Sequence, residues 1–173
     1  ITKKLHGTDH IYFSNALTRL ANVYYRQTYY EDAELALKWA LKIKKKQVPP
    51  NLKLIRDDLV SLGNVRTSQG RYSEAKRNYI RALDFQKKLS GMNSSDFGAR
   101  LLDLGALFTT QRKYIDAEKV IKRSLSLLEK YLGPDHVDVG VGLERLAYVY
   151  QLQGRFVEAE RRQRRSLEIF REA

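Results

Sequence analysis

The chain of 173 residues carries 32 Lys and Arg against 20 Asp and Glu, a net charge of +12, and has no cysteine. Without cysteine there is no disulfide framework, thiolate metal site or cysteine nucleophile, which fits a reducing, cytoplasmic setting. No apolar run approaches the length of a membrane span, and the first residues are not signal-like.

In chain order, the first motif is HGTDH at residues 6–10, two histidines four apart with an acid between them. On a helix, His6 and His10 would share one face and could hold a metal with Asp9. The rest of the chain opposes that reading. LANVYYRQTYYEDAELALKWAL from Leu20 aligns with LGNVRTSQGRYSEAKRNYIRAL from Leu62, LGALFTTQRKYIDAEKVIKRSL from Leu104 and LAYVYQLQGRFVEAERRQRRSL from Leu146, at a constant period of 42 residues. A fixed period of this size is the signature of a stacked repeat.

Each copy predicts two helices. The first, helix A, has Leu17, Leu59, Leu101 and Leu143 three residues before the aligned leucines, and Tyr24, Phe108 and Tyr150 four after them, with Arg66 as the exception. That spacing is an apolar helix stripe. Ala21, Gly63, Gly105 and Ala147 are small enough to let a second helix approach. Helix B opens near Tyr30, Tyr72, Tyr114 and Phe156 and keeps Ala33, Ala75, Ala117 and Ala159 at one position. It continues through Ala40, Ala82, Ser124 and Ser166, then Leu41, Leu83, Leu125 and Leu167. Gly70 and Gly154 stand where helix A must stop, a place that favours positive φ. In register with HGTDH are VPPNL, SGMNS and LGPDH, each with Pro or Gly followed by Asp or Asn: a helix stop, then an N-cap. HGTDH therefore reads as a turn, and no metal or cofactor is expected.

The expected organisation is residues 1–8 as the end of an upstream helix B and its turn, then repeats over 9–50, 51–92, 93–134 and 135–173. Each repeat is thus a pair of helices, and the expected fold class is all-α. Ile1 is in register with Ile43, Phe85, Leu127 and Ile169, late in helix B, so a segment of a longer array is expected. Uncapped ends of such an array could self-associate.

The order Leu, Leu, Ala or Gly, Tyr, then the helix-B alanines, resembles the tetratricopeptide repeat. The 42-residue period with LGPDH, RYSEA, KYIDA and RFVEAE is similar to the kinesin-light-chain type. The resemblance implies a right-handed α-solenoid of antiparallel helix pairs, a superhelix whose A helices line a concave groove that binds segments of other proteins, without catalysis. It departs at the L-N-N-L-A of that type, where this chain has Thr18-Arg19, Val60-Ser61, Leu102-Asp103 and Glu144-Arg145. Asn22 and Asn64 match the asparagine of a carboxylate-clamping subfamily, but its lysine position holds Thr18 and Val60.

Helix A positions off the apolar stripe form the candidate groove. They include Thr18, Arg19, Asn22, Tyr25 and Arg26, then Asp57, Ser61, Asn64 and Ser68. Further along come Asp103, Ala106, Thr109 and Thr110, then Glu144, Arg145 and Tyr148. Asn22 and Asn64 lead, since an amide can both donate to and accept from an extended peptide; the other reading is solvated polar residues. Arg66 either reaches an acid such as Asp103 or snorkels to the core edge, and Trp39 reads as packing.

Residues 29–47, 71–89, 112–130 and 155–172, the expected B helices, hold 23 basic and 12 acidic residues. Lys44, Lys45 and Lys46, with Arg161, Arg162, Arg164 and Arg165, form the densest patches. They would make an outer face for nucleic acid, an anionic membrane or an acidic protein. The competing reading is helix electrostatics, acids early and bases late, with pairs such as Glu34–Lys38, Glu118–Lys122 and Glu160–Arg164. Nothing in the sequence supports an enzyme: GVG at 140–142 lies within a helix A pattern, and the histidines lie in turns. The expected function is a protein-interaction scaffold for a protein or peptide segment, with the basic face, or a regulatory array in a larger signalling protein, as alternatives.

Overall fold

The computed structural model describes residues 10–173. Among the described residues there are eight helices and no strand: α1 (Ile11–Arg26), α2 (Tyr30–Lys46), α3 (Leu52–Ser68), α4 (Tyr72–Ser90), α5 (Ser95–Thr110), α6 (Tyr114–Leu132), α7 (Val137–Leu152) and α8 (Phe156–Glu172). His6 and Asp9 of HGTDH, and the expected upstream helix end, lie outside them. The chain divides into two compact units, one ending at Phe85 and one running from Gln86 to Ala173. In unit 1, α1 packs on α2 and α2 on α3; in unit 2, α5 packs on α6, α6 on α7 and α7 on α8.

Every helix B begins at the aromatic residue expected, and the four aligned alanines are sealed in, with Ala33, Ala75, Ala117 and Ala159 at 0–1% exposure. Leu59, Leu101 and Leu143 of the helix A stripe are buried, as is Phe108. Leu20 and Leu167 are exceptions at 41% and 55% exposure; they sit on α1 and α8, which among the described residues are flanked on one side only.

The A-to-B turn is the same object four times. Tyr29, Arg71, Lys113 and Arg155 each donate their backbone N–H to the carbonyl five residues back, on Tyr24, Arg66, Phe108 and Tyr150, at 2.8–2.9 Å. This closes the helix end with its orphan carbonyls satisfied, and it requires a left-handed residue just before the donor. Gly70 and Gly154 fill that place with φ of 73° and 76°. Thr28 and Arg112 fill it in the other two repeats with φ of 64° and 58°.

The helix A starts differ from expectation by one residue. Asn93 and Asp135 do not cap; Ser94 and His136 do, with Ser94 Oγ accepting from the Phe97 N–H and His136 Nδ1 from the Asp138 N–H. His10 caps α1 in the same way, and Asn51 caps α3 as its type predicts. The residue directly before the helix has the extended backbone that aims its side chain at the free N–H groups, and neutral imidazole serves as acceptor there.

A side chain with a Cβ strains the left-handed turn, most of all a β-branched one. Thr28→Gly and Arg112→Gly are therefore each expected to raise stability by about 1 kcal/mol in urea unfolding, and Gly70→Ala to lower it by a similar amount. Unchanged midpoints for both glycine variants would show that the turn bears no strain.

Candidate partner-binding surfaces on the helix A faces

In unit 1 the leading candidates are on the surface. Asn22, Arg19 and Arg26 are exposed along α1. The Tyr25 hydroxyl lies 3.2 Å from Ser68 Oγ, joining the ends of α1 and α3. Asn64 is exposed, and its Oδ1 accepts a 2.6 Å hydrogen bond from the Tyr79 hydroxyl. Tyr79 reaches it because Gly63 has no side chain: a Cβ there would lie 2.7 Å from the Tyr79 ring. Asp57 is held by Arg56 at 2.7 Å, and Ser61 is half-buried. Thr18 is not free for a partner, since its hydroxyl donates to Asp58 and accepts from Lys44, each at 2.9 Å.

Unit 2 has a shaped site on the equivalent face. Ala106, Thr109 and Thr110 of α5, with Glu144, Arg145 and Tyr148 of α7, surround a depression of about 440 Å³ floored by Ile121. The Arg145 guanidinium is fixed by donating to the Leu102 carbonyl at 3.0 Å. Tyr148 is 54% exposed on the rim. A second depression of about 340 Å³ shares Thr109, Thr110 and Tyr148 and extends the surface to Arg112, Tyr114 and Leu152. Asp103 pairs with Arg100 at 3.1 Å and does not line the depression. Asn22, Asn64, Ala106 and Tyr148 occupy one repeat position; alanine makes the room, and tyrosine supplies an amphipathic edge.

Two family models, both described as tetratricopeptide repeat, match residues 59–96 and 98–172. The chain belongs to the tetratricopeptide repeat family. Among solved structures, it is similar to BtubC (BKLC) from P. vanneervenii, at 20% identity and TM-score 0.78, over 92% of this chain and 64% of that one. A structure of nearly identical TPR-like repeats from Podosopora anserina, described as a putative kinesin light chain, matches at 17% identity and TM-score 0.76, over 99% of this chain and 81% of that one. The apo form of RapI matches at 17% identity and TM-score 0.78, over 99% of this chain and 60% of that one. The chain thus spans less than two thirds of the length of two of these. No curated protein matches it. The fold is an all-α helical-repeat solenoid of tetratricopeptide repeats, a scaffold architecture that generally serves protein–protein interaction.

Within that scaffold Lys44 corrects the expected basic face. It is 1% exposed, and its Nζ lies 2.6 Å from the equally buried Asp58 carboxylate of α3. It shares a repeat position with Gln86 and Leu128, both at 0% exposure, and with Phe170, 39% exposed on the last helix; in the first three repeats the helix turns this residue inward. Burial pushes the Asp58 carboxyl up from its ordinary value, against hydrogen bonds from Lys44 and Thr18. Lys45 and Lys46 are exposed, as are Arg161 and Arg164, while Arg162 and Arg165 are half-buried. Arg164 pairs with Glu160 at 2.7 Å, and Arg165 with Asp135 and with Glu168, so part of that face is neutralised internally. Acids open the B helices (Glu31, Asp32, Glu74, Asp116, Glu158) and bases close them, as the macrodipole favours.

Arg66 goes neither to Asp103 nor to solvent. It donates to Glu34 at 2.9 Å, and Glu34 also receives Lys38 and Arg71. Glu118 is the unit 2 counterpart, accepting from Arg155 at 2.8 Å, Gln153 at 3.2 Å and Lys122 at 2.6 Å. Tyr150 stands in Arg66's place there and stacks under the Arg155 guanidinium at 4.1 Å. Trp39 is 45% exposed and meets Phe13 edge-on, at 5.1 Å between ring centroids. Among the described residues no three His, Cys, Asp or Glu side chains are placed to hold a metal.

These buried charges have two measurable consequences. Lys44→Leu alone should cost about 3–5 kcal/mol by stranding Asp58, whereas Lys44→Leu with Asp58→Ala should restore or exceed the parent stability. Equal losses in the single and double variants would show that the pair itself, not its mutual compensation, stabilises the fold. Burial alone would raise the Glu34 carboxyl, but hydrogen bonds from Lys38, Arg66 and Arg71 hold its pKa at about 2, below the ordinary 4.5. A lowered folded-state value stabilises above the unfolded one and is lost as pH falls through the folded one. Wild type should exceed Glu34→Gln by about 1–3 kcal/mol at neutral pH, with the gap closing between pH 4.5 and 2. A pH-independent gap would exclude this ionisation as its source.

Proposed function

We propose that the chain is a non-catalytic, cytoplasmic binding module that holds an extended segment of a partner protein along its helix A faces. The observation that carries this reading is the depression of unit 2, where Glu144, Arg145 and Tyr148 face Ala106, Thr109 and Thr110. An anchored guanidinium, a carboxylate and an amphipathic ring around a shallow apolar floor suit a peptide backbone with alternating side chains. The Tyr79-positioned Asn64 supports a second contact point in unit 1, where it presents amide donors to a peptide carbonyl. Absence of cysteine supports the cytoplasmic setting.

The basic helix B face is the weaker reading, because Arg164 and Arg165 already pair with acids and Lys44 is internal. One experiment separates the two: affinity capture from lysate at moderate and high salt, with bound proteins identified by mass spectrometry. The baits are wild type, Arg145→Ala/Tyr148→Ala, Asn22→Ala/Asn64→Ala and Arg161→Glu/Arg164→Glu, each first shown to be helical by circular dichroism. A protein retained at high salt, and reduced about tenfold or more by either helix A double variant, is the expected result. Capture that disappears with salt and fails only in Arg161→Glu/Arg164→Glu would overturn it.

A further inference from the structure

A different face of unit 1 has a feature that the helix A reading leaves unused. A depression of about 460 Å³ opens between α2, α3 and α4. Lys42 and Lys45 of α2 and Arg81 of α4 stand on its wall with Lys38, and no carboxylate lines it among the described residues. Lys38 and Arg66, which also border it, are both drawn to the buried Glu34, so they are already compensated. Lys42, Lys45 and Arg81 contribute three further positive charges to one small concavity. Desolvation lowers the Lys45 ammonium from its ordinary value, and the nearby Arg81 charge lowers it further. Cations crowded in this way favour an anion among them.

A second, independent observation points the same way. Asn78 of α4 lines the depression at 3% exposure, and its buried Nδ2 has no hydrogen-bond partner. A buried amide donor without an acceptor is costly, and such groups in folded proteins signal a missing ligand or a function. The apolar floor of Leu59 and Leu62 lowers the local dielectric and strengthens each charge–charge contact above it.

We propose that this depression is an oxyanion site that takes a phosphate group, with Lys42, Lys45 and Arg81 supplying charge and the Asn78 amide a neutral donor. A phosphate group fits this donor set because it carries close to two charges and several strong acceptor oxygens. The site belongs to unit 1 and is not a property of the repeat. The corresponding positions of unit 2 are Ser126 for Lys42, Glu129 for Lys45 and Arg162 for Asn78. Since α6 folds with Ser126 and Glu129 in place, those residues can be copied into α2 without loss of the helix.

The test is isothermal titration of the whole chain with inorganic pyrophosphate at constant ionic strength, alongside co-sedimentation with phosphatidylcholine vesicles carrying a phosphoinositide. Lys42→Ser/Lys45→Glu and Asn78→Ala are compared with Arg161→Ser/Arg164→Glu, which removes the same charge from another face. The expected result is pyrophosphate binding weakened at least about tenfold by Lys42→Ser/Lys45→Glu, measurably by Asn78→Ala, and less than about twofold by the charge-matched control. Binding to vesicles but not to pyrophosphate, with the same variant pattern, would support the site and assign its phosphate to a lipid headgroup. The proposal is overturned if neither probe binds, or if the control weakens binding as much as Lys42→Ser/Lys45→Glu does.

Discussion

The structure depends on how closely helix A and helix B of a pair can approach. Where the helix B knob is bulky, helix A gives up its side chain: Gly63 lies under Tyr79, and Gly105 under Ile121, where an added Cβ would sit 2.6–2.7 Å from the neighbour. The other two repeats have Ala21 and Ala147 at this position, and in register with Tyr79 and Ile121 they have Leu37 and Gln163. At the other end of each unit 2 pair a serine closes the distance, with Ser124 and Ser166 donating to the carbonyls of Gly98 and Gly140 at 2.6 and 2.9 Å. A buried hydroxyl that finds a backbone acceptor costs little, and it pins the two helices in one register.

Close packing then decides what the remaining surfaces can present. Because Gly63 admits the Tyr79 ring, that hydroxyl reaches across to Asn64 and orients its amide. Because Ala106 is small, the α5–α7 surface of unit 2 has a floor and walls where a larger residue would fill the space. A positioned donor or a shaped concavity loses less freedom on binding than a mobile side chain does. The helix A faces are thus prepared by contacts made on the opposite sides of the same helices.

The two units solve one charge problem in parallel and a second in different ways. Glu34 and Glu118 occupy equivalent positions, and each gathers a cation from the next helix pair, Arg71 or Arg155. The buried Lys44–Asp58 pair has no such counterpart: the equivalent positions in unit 2 are Leu128 and Gly142, both buried and uncharged. A buried ion pair rarely stabilises more than an apolar pair of the same volume, and its geometry is restrictive. It bridges α2 and α3, and a shift that separated the two helices there would strand both charges.

The repeat, its period, the helix boundaries to within about two residues, the stripe of aligned alanines and the left-handed turn at Gly70 and Gly154 are all legible in the order of residues. These are local or periodic properties, written in spacing and in the few residues that tolerate a given backbone. Which charged and polar residues lie inside is set by packing between helices. Lys44 reads as one of four lysines in a surface run, Arg66 as a break in an apolar stripe and Asn78 as an unremarked helix residue. Lys44 and Arg66 are held by acids on a neighbouring helix, Asp58 and Glu34. A charged side chain has no periodic signature of burial; whether it is solvated or enclosed depends on what the opposing helix puts against it, and that is a property of the packed pair.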